Sequence, residues 1–435
     1  MDPTPVLILF GAFFALMAIG LPISFAIGLS TLATLATLMP FERSLFILAQ
    51  RMSSGLDSFT LLAIPFFILA GNIMNSGGIA RRLIAFAKVL GGRLPGSLAH
   101  VNVLSNMLFG AISGSAVASA AAVGGVMAPL QKKEGYPPAF SAAVNIASCP
   151  TGLLIPPSTT LIVYSLISGG TSIAALFVAG YLPGILMGLG VMAVAGVIAV
   201  RKGYPVSERP TARVALAAAL DAVLPLGLIV VIMGGIVGGI FTATEASAIA
   251  VGYALILALV VYREIGLRDL PGILVESAVT TSIVLLLIGV SIAMSWVMTF
   301  ADAPYIVTEA LQSLSANPAV IMLFITLSLL VIGTFMDMTP ALLIFTPIFL
   351  PVAQEIGIDP VHFGIIMTFN LCIGICTPPV GSALFVGCSV ARVPIWSVLR
   401  PLIPFYAVIV ALLFAVVFIP EISLFLPRLV LGYGA

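Results

Sequence analysis

The sequence predicts an all-α polytopic membrane protein with two inverted-topology repeats, each containing a re-entrant helical hairpin and a broken helix. Three observations predict this class: a very apolar composition, proline and glycine landmarks that recur 222 residues apart, and loop charges that alternate between the two membrane faces. The 435 residues are 61% hydrophobic and 8% charged, with a mean hydropathy of +1.25. Soluble domains carry about a quarter charged residues, so this chain belongs in a membrane.

The repeat is marked by prolines and glycines inside apolar stretches. Its frame reads APLQKKEGYPPAF…CPTGLLIPPST in the first half and LPVAQEIGIDPVHF…CIGICTPPVGS in the second. The matched landmarks are Pro129, Gly135, Pro138, Gly152, Pro156 and Pro157 with Pro351, Gly357, Pro360, Gly374, Pro378 and Pro379. Breaks of this kind are tolerated where freed backbone groups find partners or line a cavity, and corresponding breaks in two halves indicate a transporter binding site.

Charge predicts which loops face the cytoplasm, because Lys and Arg concentrate there. The basic clusters are Arg81, Arg82, Lys88 and Arg93; Lys132 and Lys133; Arg201, Lys202, Arg209 and Arg213; Arg263 and Arg268; and Arg392 and Arg400. Loops between Arg268 and Arg392 are acidic and should face outward. Ten crossings with basic loops inside put both termini outside. In this topology Arg43 and Arg51 lie on the outer side, which disagrees with the charge rule unless residues 41–56 form an amphipathic helix in the interface.

Each half is predicted to contain three crossings, a hairpin, a broken crossing and a further crossing. The first repeat, residues 1–200, has crossings near 5–20, 22–40, 58–79 and 174–200, a hairpin at 98–131 and a broken helix at 139–168. A cytoplasmic linker follows at 201–213. The second repeat, residues 214–435, has crossings near 215–239, 244–262, 272–300 and 402–423, a hairpin at 318–352 and a broken helix at 361–389. Each hairpin is flanked by loops of one charge type, so it must enter and leave on the same side.

Four pieces are expected to meet at the centre: the hairpin tips 113–115 and 334–339, and the breaks 148–158 and 370–382. Freed carbonyls beside hydroxyl and amide oxygens suit Na⁺, and half-helix N-termini suit a carboxylate. The predicted Na⁺ ligands are Ser113, Gly114, Ser115, Ser148, Pro150, Gly152, Thr334, Asp337, Met338, Thr339, Asn370, Cys372, Gly374 and Thr377. The predicted substrate-binding residues are Ser113, Ser115, Pro156, Ser158, Asp337, Thr377 and Pro378. Tight helix crossings are the alternative explanation of these small residues.

Proton coupling is the competing mechanism, and it normally needs an intramembrane Asp, Glu or His. The predicted core offers only Asp337 and Glu245, while His100 and His362 flank the hairpins. This favours Na⁺ over H⁺. Glu245 is also placed to cap a helix that starts after Thr242. Asp337 could bind a cation, gate the substrate or cap a helix.

Other classes of function are disfavoured by the residues. A net charge of +1 argues against nucleic-acid binding. The GAISGS stretch has no histidine or lysine within reach, so a serine hydrolase is disfavoured and no catalytic residue is predicted. The cysteines lack accompanying metal ligands and are interpreted as packing residues: Cys149, Cys372, Cys376 and Cys388. A simple channel is possible, although inverted hairpins suit alternating access better.

Five stretches resemble the large membrane subunit of tripartite ATP-independent periplasmic (TRAP) transporters, the DctM or SiaM type. They are IPFFILAGNIMNSGGIARRL (64–83), FGAISGSAVASAAAVG (109–124), GGIFTATEASA (238–248), GTFMDMTPALLIFTPIFLP (333–351) and CIGICTPPVGSALFVGC (372–388). The resemblance implies an elevator-type architecture of the ion-transporter superfamily and Na⁺-driven import of a carboxylate, such as a C4-dicarboxylate, 2-oxoacid, sugar acid or sialic acid. It implies no organic cofactor.

The resemblance also implies partners and a location. The partners are a small four-helix membrane subunit, expected as a separate chain, and a periplasmic substrate-binding protein in a bacterial inner-membrane system. The alternative is a stand-alone Na⁺- or H⁺-coupled anion symporter of the same superfamily. On the elevator mechanism, residues 98–168 and 318–389 should move together against a scaffold of the remaining crossings.

Overall fold

The structure is a computed structural model that describes residues 4–92, 94–206, 211–315 and 317–434. Within these ranges the chain forms helices and connecting turns, with no strand. The all-α membrane class predicted from composition is therefore confirmed. Arg93 of the first basic cluster, and residues 207–210 of the predicted linker, lie outside the described residues.

The first half contains eleven α-helices among the described residues. They are α1 (Thr4–Ala18), α2 (Ile23–Leu38), α3 (Phe41–Leu56), α4 (Ala63–Ser76), α5 (Ile79–Gly91), α6 (Ser97–Ser113), α7 (Ala116–Lys133), α8 (Pro138–Ser148), α9 (Thr151–Leu154), α10 (Thr159–Ile167) and α11 (Ile173–Lys202). A 3₁₀ turn at Phe59–Leu62 leads into α4. The predicted first hairpin is α6 and α7, and the predicted broken helix is α8 to α10.

The second half contains ten more α-helices among the described residues. They are α12 (Ala212–Val237), α13 (Ala243–Leu255), α14 (Leu270–Phe300), α15 (Ala303–Leu314), α16 (Pro318–Phe335), α17 (Met338–Glu355), α18 (Pro360–Gly374), α19 (Ser382–Ala391), α20 (Ile395–Phe418) and α21 (Glu421–Leu431). A π-helical segment, Ile256–Val261, continues α13. The second hairpin corresponds to α16 and α17, and the second broken helix to α18 and α19.

Eight helical segments of the described chain are long and apolar enough to span a bilayer by themselves. A ninth span results if α8–α9 and α10, which meet at 50°, are taken as one broken helix. With 15 and 16 residues, α1 and α2 are shorter than the ~17–25 residues of most spans, although each coincides with a predicted crossing. The count of ten crossings and the side of each loop stay predictions.

The helix starts keep the 222-residue register seen in the sequence. Three pairs of helices, α7 and α17, α8 and α18, and α11 and α20, begin at residues 116 and 338, 138 and 360, and 173 and 395. Equal spacing of three helix starts supports a structural repeat, while the inversion of the two halves in the membrane stays a prediction.

The helices pack into two bundles. One, which we call the scaffold, contains α1 to α4 and α12 to α14, and in it α14 packs against α2, α3 and α4. The other, which we call the hairpin bundle, contains α6 to α11 and α16 to α21, and in it α11 packs against both broken helices. Gly180 of α11 shows how close this packing is, because a Cβ there would lie 2.1 Å from the carbonyl oxygen of Leu154. The packing thus groups α11 and α20 with the hairpins, whereas the sequence hypothesis assigned them to the scaffold.

Amphipathic helices join the bundles. From α4 to the first hairpin, α5 buries Leu83, Ile84 and Ala87, and Arg82 on its polar side lies 3.2 Å from a carboxylate oxygen of Glu264. At the corresponding place in the second half, α15 connects α14 to α16. Sequence reasoning missed both connecting helices. The proposed amphipathic helix at 41–56 is present as α3; its place in the interface stays a prediction.

Candidate functional site

The tip of the first hairpin, residues 113–115, consists of the last residue of α6 and the two-residue break before α7. Gly114 has φ +62°, a left-handed conformation that glycine adopts without strain. The Ser115 hydroxyl oxygen accepts a hydrogen bond of 3.2 Å from the Ala118 N–H and so caps α7. The Ser113 hydroxyl donates to the Ser115 carbonyl at 3.4 Å. Backbone and hydroxyl oxygens are thus concentrated where α6 stops, as the SGS pattern predicted.

This tip meets the broken helix of the same half. The Thr159 hydroxyl donates a hydrogen bond of 3.2 Å to the Gly114 carbonyl. One turn earlier, α6 and α9 pass so closely that a Cβ on Gly152 would lie 2.2 Å from the Cα of Gly110. Ser158 is fully buried, and its Oγ has no hydrogen-bond partner among the described residues. An unpaired buried hydroxyl costs free energy, so this oxygen is available to a ligand.

A buried amide network lies directly behind the first tip. The Asn106 side-chain nitrogen lies 3.0 Å from Asn145 Oδ1 and 2.7 Å from Ser148 Oγ. The Ser119 hydroxyl donates to Asn106 Oδ1 at 2.7 Å, and Asn102 Oδ1 is 2.9 Å from the Asn106 nitrogen. These contacts join α6, α7 and α8. Sequence reasoning selected only Ser148, although asparagines four residues apart in an apolar helix were a usable signal.

The second hairpin tip contacts the second break in a similar way. The Val380 N–H donates to the Thr334 carbonyl at 3.2 Å, and the Ser382 hydroxyl donates to Asp337 Oδ1 at 3.0 Å. A Cβ on Gly374 would lie 2.6 Å from the Cα of Gly333. The second tip differs from the first in exposure, since Asp337 is exposed whereas Ser113 and Gly114 are buried.

The other predicted residues of the second half lie along α17, α18 and the break. Asn370 is fully buried; its nitrogen donates to the Thr326 carbonyl at 2.9 Å, while its Oδ1 has no partner among the described residues. The Thr377 hydroxyl donates back to the Ile373 carbonyl at 2.7 Å. Thr339 lies in the first turn of α17. Within the part of the chain that the structure describes, no three His, Cys, Asp or Glu side chains cluster as a metal site, so a cation here would rely on carbonyl, hydroxyl and amide oxygens.

The two halves meet at the centre through the breaks. Cys372 Sγ lies 3.6 Å from the Pro150 carbonyl, and these two residues are 222 apart, so they occupy equivalent places in the repeat. Met338 Sδ lies 3.6 Å from the Thr160 hydroxyl. Three predicted Na⁺ ligands, Pro150, Met338 and Cys372, therefore contact the opposite half.

The structure brings the predicted residues into two joints, which we name by their halves. The first joint is the tip 113–115 with the break 148–159, and the second is the tip 334–339 with the break 370–382. Pro156 with Pro157, and Pro378 with Pro379, form cis peptide bonds at equivalent positions. The glycine contacts show that tight helix crossings are also present, one at each joint. Glu245 lies outside both joints. It forms a capping box with Thr242 at the start of α13, so the predicted helix-capping role is confirmed.

Comparison with known proteins identifies the family of this chain. Residues 10–422 match the model of the family described as tripartite ATP-independent periplasmic transporter, DctM component. The chain belongs to this DctM family. Among its relatives, the uncharacterized protein YgiK of Salmonella typhimurium is 60% identical, with 98% of each chain covered. The sialic acid TRAP transporter large permease protein SiaM of Vibrio cholerae is 39% identical, over 96% of this chain and 97% of the relative.

Among solved structures, the YdaH transporter of Alcanivorax borkumensis matches 99% of both chains with a TM-score of 0.62 at 15% identity. Such a match shows that the two chains share a fold. This DctM-family chain is thus a multi-span TRAP transporter large permease subunit, as the sequence resemblance predicted. SiaM is a transport permease rather than an enzyme.

Proposed function

We propose that this DctM-family permease imports a small organic acid driven by Na⁺, with a separate small membrane subunit and a periplasmic binding protein, in a bacterial inner membrane. The observation that carries the proposal is the pair of joints. In each, a hairpin tip contacts a broken helix, and that broken helix carries a buried oxygen with no partner among the described residues: Ser158 Oγ in the first half and Asn370 Oδ1 in the second. The sialic acid specificity of SiaM supports a carboxylate substrate.

The two joints supply the type of ligand that Na⁺ prefers. Hydroxyl, amide and carbonyl oxygens suit this hard cation better than nitrogen or sulfur. We assign one ion to the first joint, near Ser113 and Ser158, and one to the second, near Thr334 and Asn370. Each charge that crosses a 100 mV potential supplies about 2.3 kcal/mol. Two ions carried with one monoanion would therefore sustain accumulation.

Movement of one bundle against the other would carry both joints across the membrane. The contacts within the hairpin bundle are backbone-close, as at Gly152 and Gly374, so the joints should travel as one rigid body. Across the bundle boundary a cleft of about 350 Å³ separates Thr60 and Thr242 of the scaffold from Ser165 and Thr171 of the hairpin bundle. Such a boundary suits alternating access by rigid-body displacement.

Reconstitution of the chain with its partners tests the proposal. Proteoliposomes containing the chain alone, the chain with the small subunit, and both with the binding protein are compared under an inward Na⁺ gradient. We expect uptake only in the complete system. Uptake that follows a proton gradient and ignores Na⁺ would contradict the coupling, and strong uptake by the chain alone would favour a stand-alone symporter.

A further inference from the structure

A cavity of about 550 Å³ opens between α7, α8 and the turn that follows α19. We call it the basic pocket and define it by the residues that line it: Gly125, Ala128, Pro129, Lys132, Pro138, Ser141, Val390, Ala391, Arg392 and Val393. Lys132 and Arg392 come from opposite halves of the chain, and neither forms a salt bridge with any described residue. The pocket therefore has two positive charges and no acidic lining residue.

The inner wall of the basic pocket holds an unsatisfied hydroxyl. Ser141 is 3% exposed, and its Oγ has no hydrogen-bond partner among the described residues. It lies in the first turn of α8, which starts at Pro138, so the positive end of that helix dipole adds to the two cations. A buried hydroxyl beside two cations and a helix N-terminus fits an anion that accepts several hydrogen bonds, such as a carboxylate.

The basic pocket continues inward toward the first joint. Ser141 also lines a narrower gap whose walls include Asn102, Gln131 and Asn145, and this gap has no room for a water molecule. Gln131 Oε1, at the gap, is buried without a partner in the described chain. Asn145 belongs to the amide network that reaches Ser148. A closed polar route thus connects the pocket with Ser148 of the first joint.

We propose that the basic pocket is a carboxylate-binding station at which the transported acid pauses before its release to the cytoplasm. This rests on the proposed import function, and on the predicted cytoplasmic position of Lys132 and Arg392. The narrow gap lies inside the hairpin bundle, so it would open by rotation of the Gln131 and Asn145 side chains, and the pocket would then receive the carboxylate through Lys132, Arg392 and Ser141. Recognition is of the carboxylate group, so a simple diacid such as succinate can serve as the probe.

A cysteine reporter at Gly125 tests the proposal. A Cβ at Gly125 would meet nothing within 4 Å, so Gly125→Cys should leave the pocket intact, and the four native cysteines are buried. Anionic and cationic methanethiosulfonates are applied to the purified chain at equal ionic strength. We expect Lys132→Gln and Arg392→Gln each to lower the anionic-to-cationic rate ratio by roughly two- to fivefold. Lys133→Gln, an exposed neighbour outside the lining, is the matched control and should leave the ratio unchanged.

Protection experiments then identify the ligand. Succinate should slow labelling of Gly125→Cys, and Lys132→Gln or Ser141→Ala should remove the protection, while chloride and phosphate should protect less. Four outcomes would overturn the inference. They are no protection by succinate, equal protection by phosphate, protection only by anionic phospholipid vesicles, and equal effects of Lys132→Gln and Lys133→Gln on labelling. Na⁺-driven uptake is measured in parallel: uptake without protection refutes only the pocket, whereas proton-driven uptake with protection refutes only the coupling.

Discussion

Gly152→Ala should disrupt the first joint. In the structure a Cβ on Gly152 would lie 2.2 Å from the Cα of Gly110, whereas ordinary contact begins at 3.4 Å. The backbones of α6 and α9 must therefore separate by about 1.2 Å, the difference between these two distances. Neither partner can move away by rotating a side chain, because the clash is with backbone. A shift of that size would also carry the 3.2 Å hydrogen bond between Thr159 and Gly114 beyond bonding distance.

The cost follows from overpacking and the lost hydrogen bond. Overpacking costs about 1–3 kcal/mol, and a backbone clash belongs at the upper end of that range. A hydrogen bond between membrane helices contributes about 0.6 kcal/mol. We therefore expect Gly152→Ala to destabilise the chain by about 3 kcal/mol. Because the transition of a chain this long shifts by roughly 1–2 °C per kcal/mol, the melting temperature should fall by about 3–6 °C.

Thermal unfolding of the solubilised protein and Na⁺-driven uptake in the complete system are the assays. Gly252→Ala in α13 is the matched control, because its Cβ would meet nothing within 4 Å and alanine favours the helix. Gly333→Ala should be intermediate, since its Cβ would lie 3.2 Å from its nearest neighbour. A Gly110→Ala, Gly152→Ala double variant should cost less than the sum of the singles, because one separation accommodates both. Equal stability and uptake for Gly152→Ala and Gly252→Ala would refute the reasoning.

Three further predictions follow from the same contacts. Asp337→Asn should raise the Na⁺ concentration for half-maximal uptake more than Glu245→Gln does, because glutamine can keep the capping box. A wild-type Na⁺ response of Asp337→Asn, together with loss of uptake in Glu245→Gln, would contradict this prediction. Arg82→Gln should lower the melting temperature more than Arg81→Gln, because Arg82 lies 3.6 Å from the centre of the Tyr262 ring and pairs with Glu264, while the Arg81 side chain is 71% exposed. Such a contact between a cation and a ring contributes about 1 kcal/mol. Equal shifts of the melting temperature would contradict this prediction. Asn106→Leu should lower the free energy of unfolding by about 2 kcal/mol, because it removes four buried polar contacts of about 0.6 kcal/mol each. An unchanged melting temperature would mean that the network adds no stability.

Much of the fold was predictable because it depends on local chemistry. Proline and glycine fix where a helix can start or break, so the 222-residue pattern located the tips and breaks within a few residues. Thr242 and Glu245 were recognisable as a helix start for the same reason. The connecting helices α5 and α15 were missed because each mixes apolar with polar residues, so an average over composition does not detect either helix. Short amphipathic helices between spans are detected from the 3.6-residue period of their apolar positions, not from their mean hydropathy.

The site was predictable in its backbone and less so in its side chains. Tip residues such as Ser113 and Asp337 can be recognised from the sequence, because they are polar residues next to a helix break in an apolar segment. Asn145 carries no such signal, because its role depends on facing Asn106 across 39 residues of chain. Cys372 could not be assigned to a contact with Pro150 before the two halves were packed together. Contacts between distant segments are the part that local patterns leave open.

The close glycine contacts determine where a transport movement can occur. At Gly152 and Gly374 the hairpins touch the broken helices backbone to backbone, and at Gly180 α11 touches the first break in the same way. A Cβ added at any of these glycines would lie only 2.1 to 2.6 Å from backbone atoms of the facing segment, so these segments are packed too tightly to form a sliding surface. The scaffold approaches the first tip less closely, since a Cβ added at Gly71 of α4 would lie 3.1 Å from the Ser113 carbonyl oxygen. Displacement should therefore occur between α4 and the first tip, so residue 71 is where added side-chain volume should slow transport without unfolding the hairpin bundle.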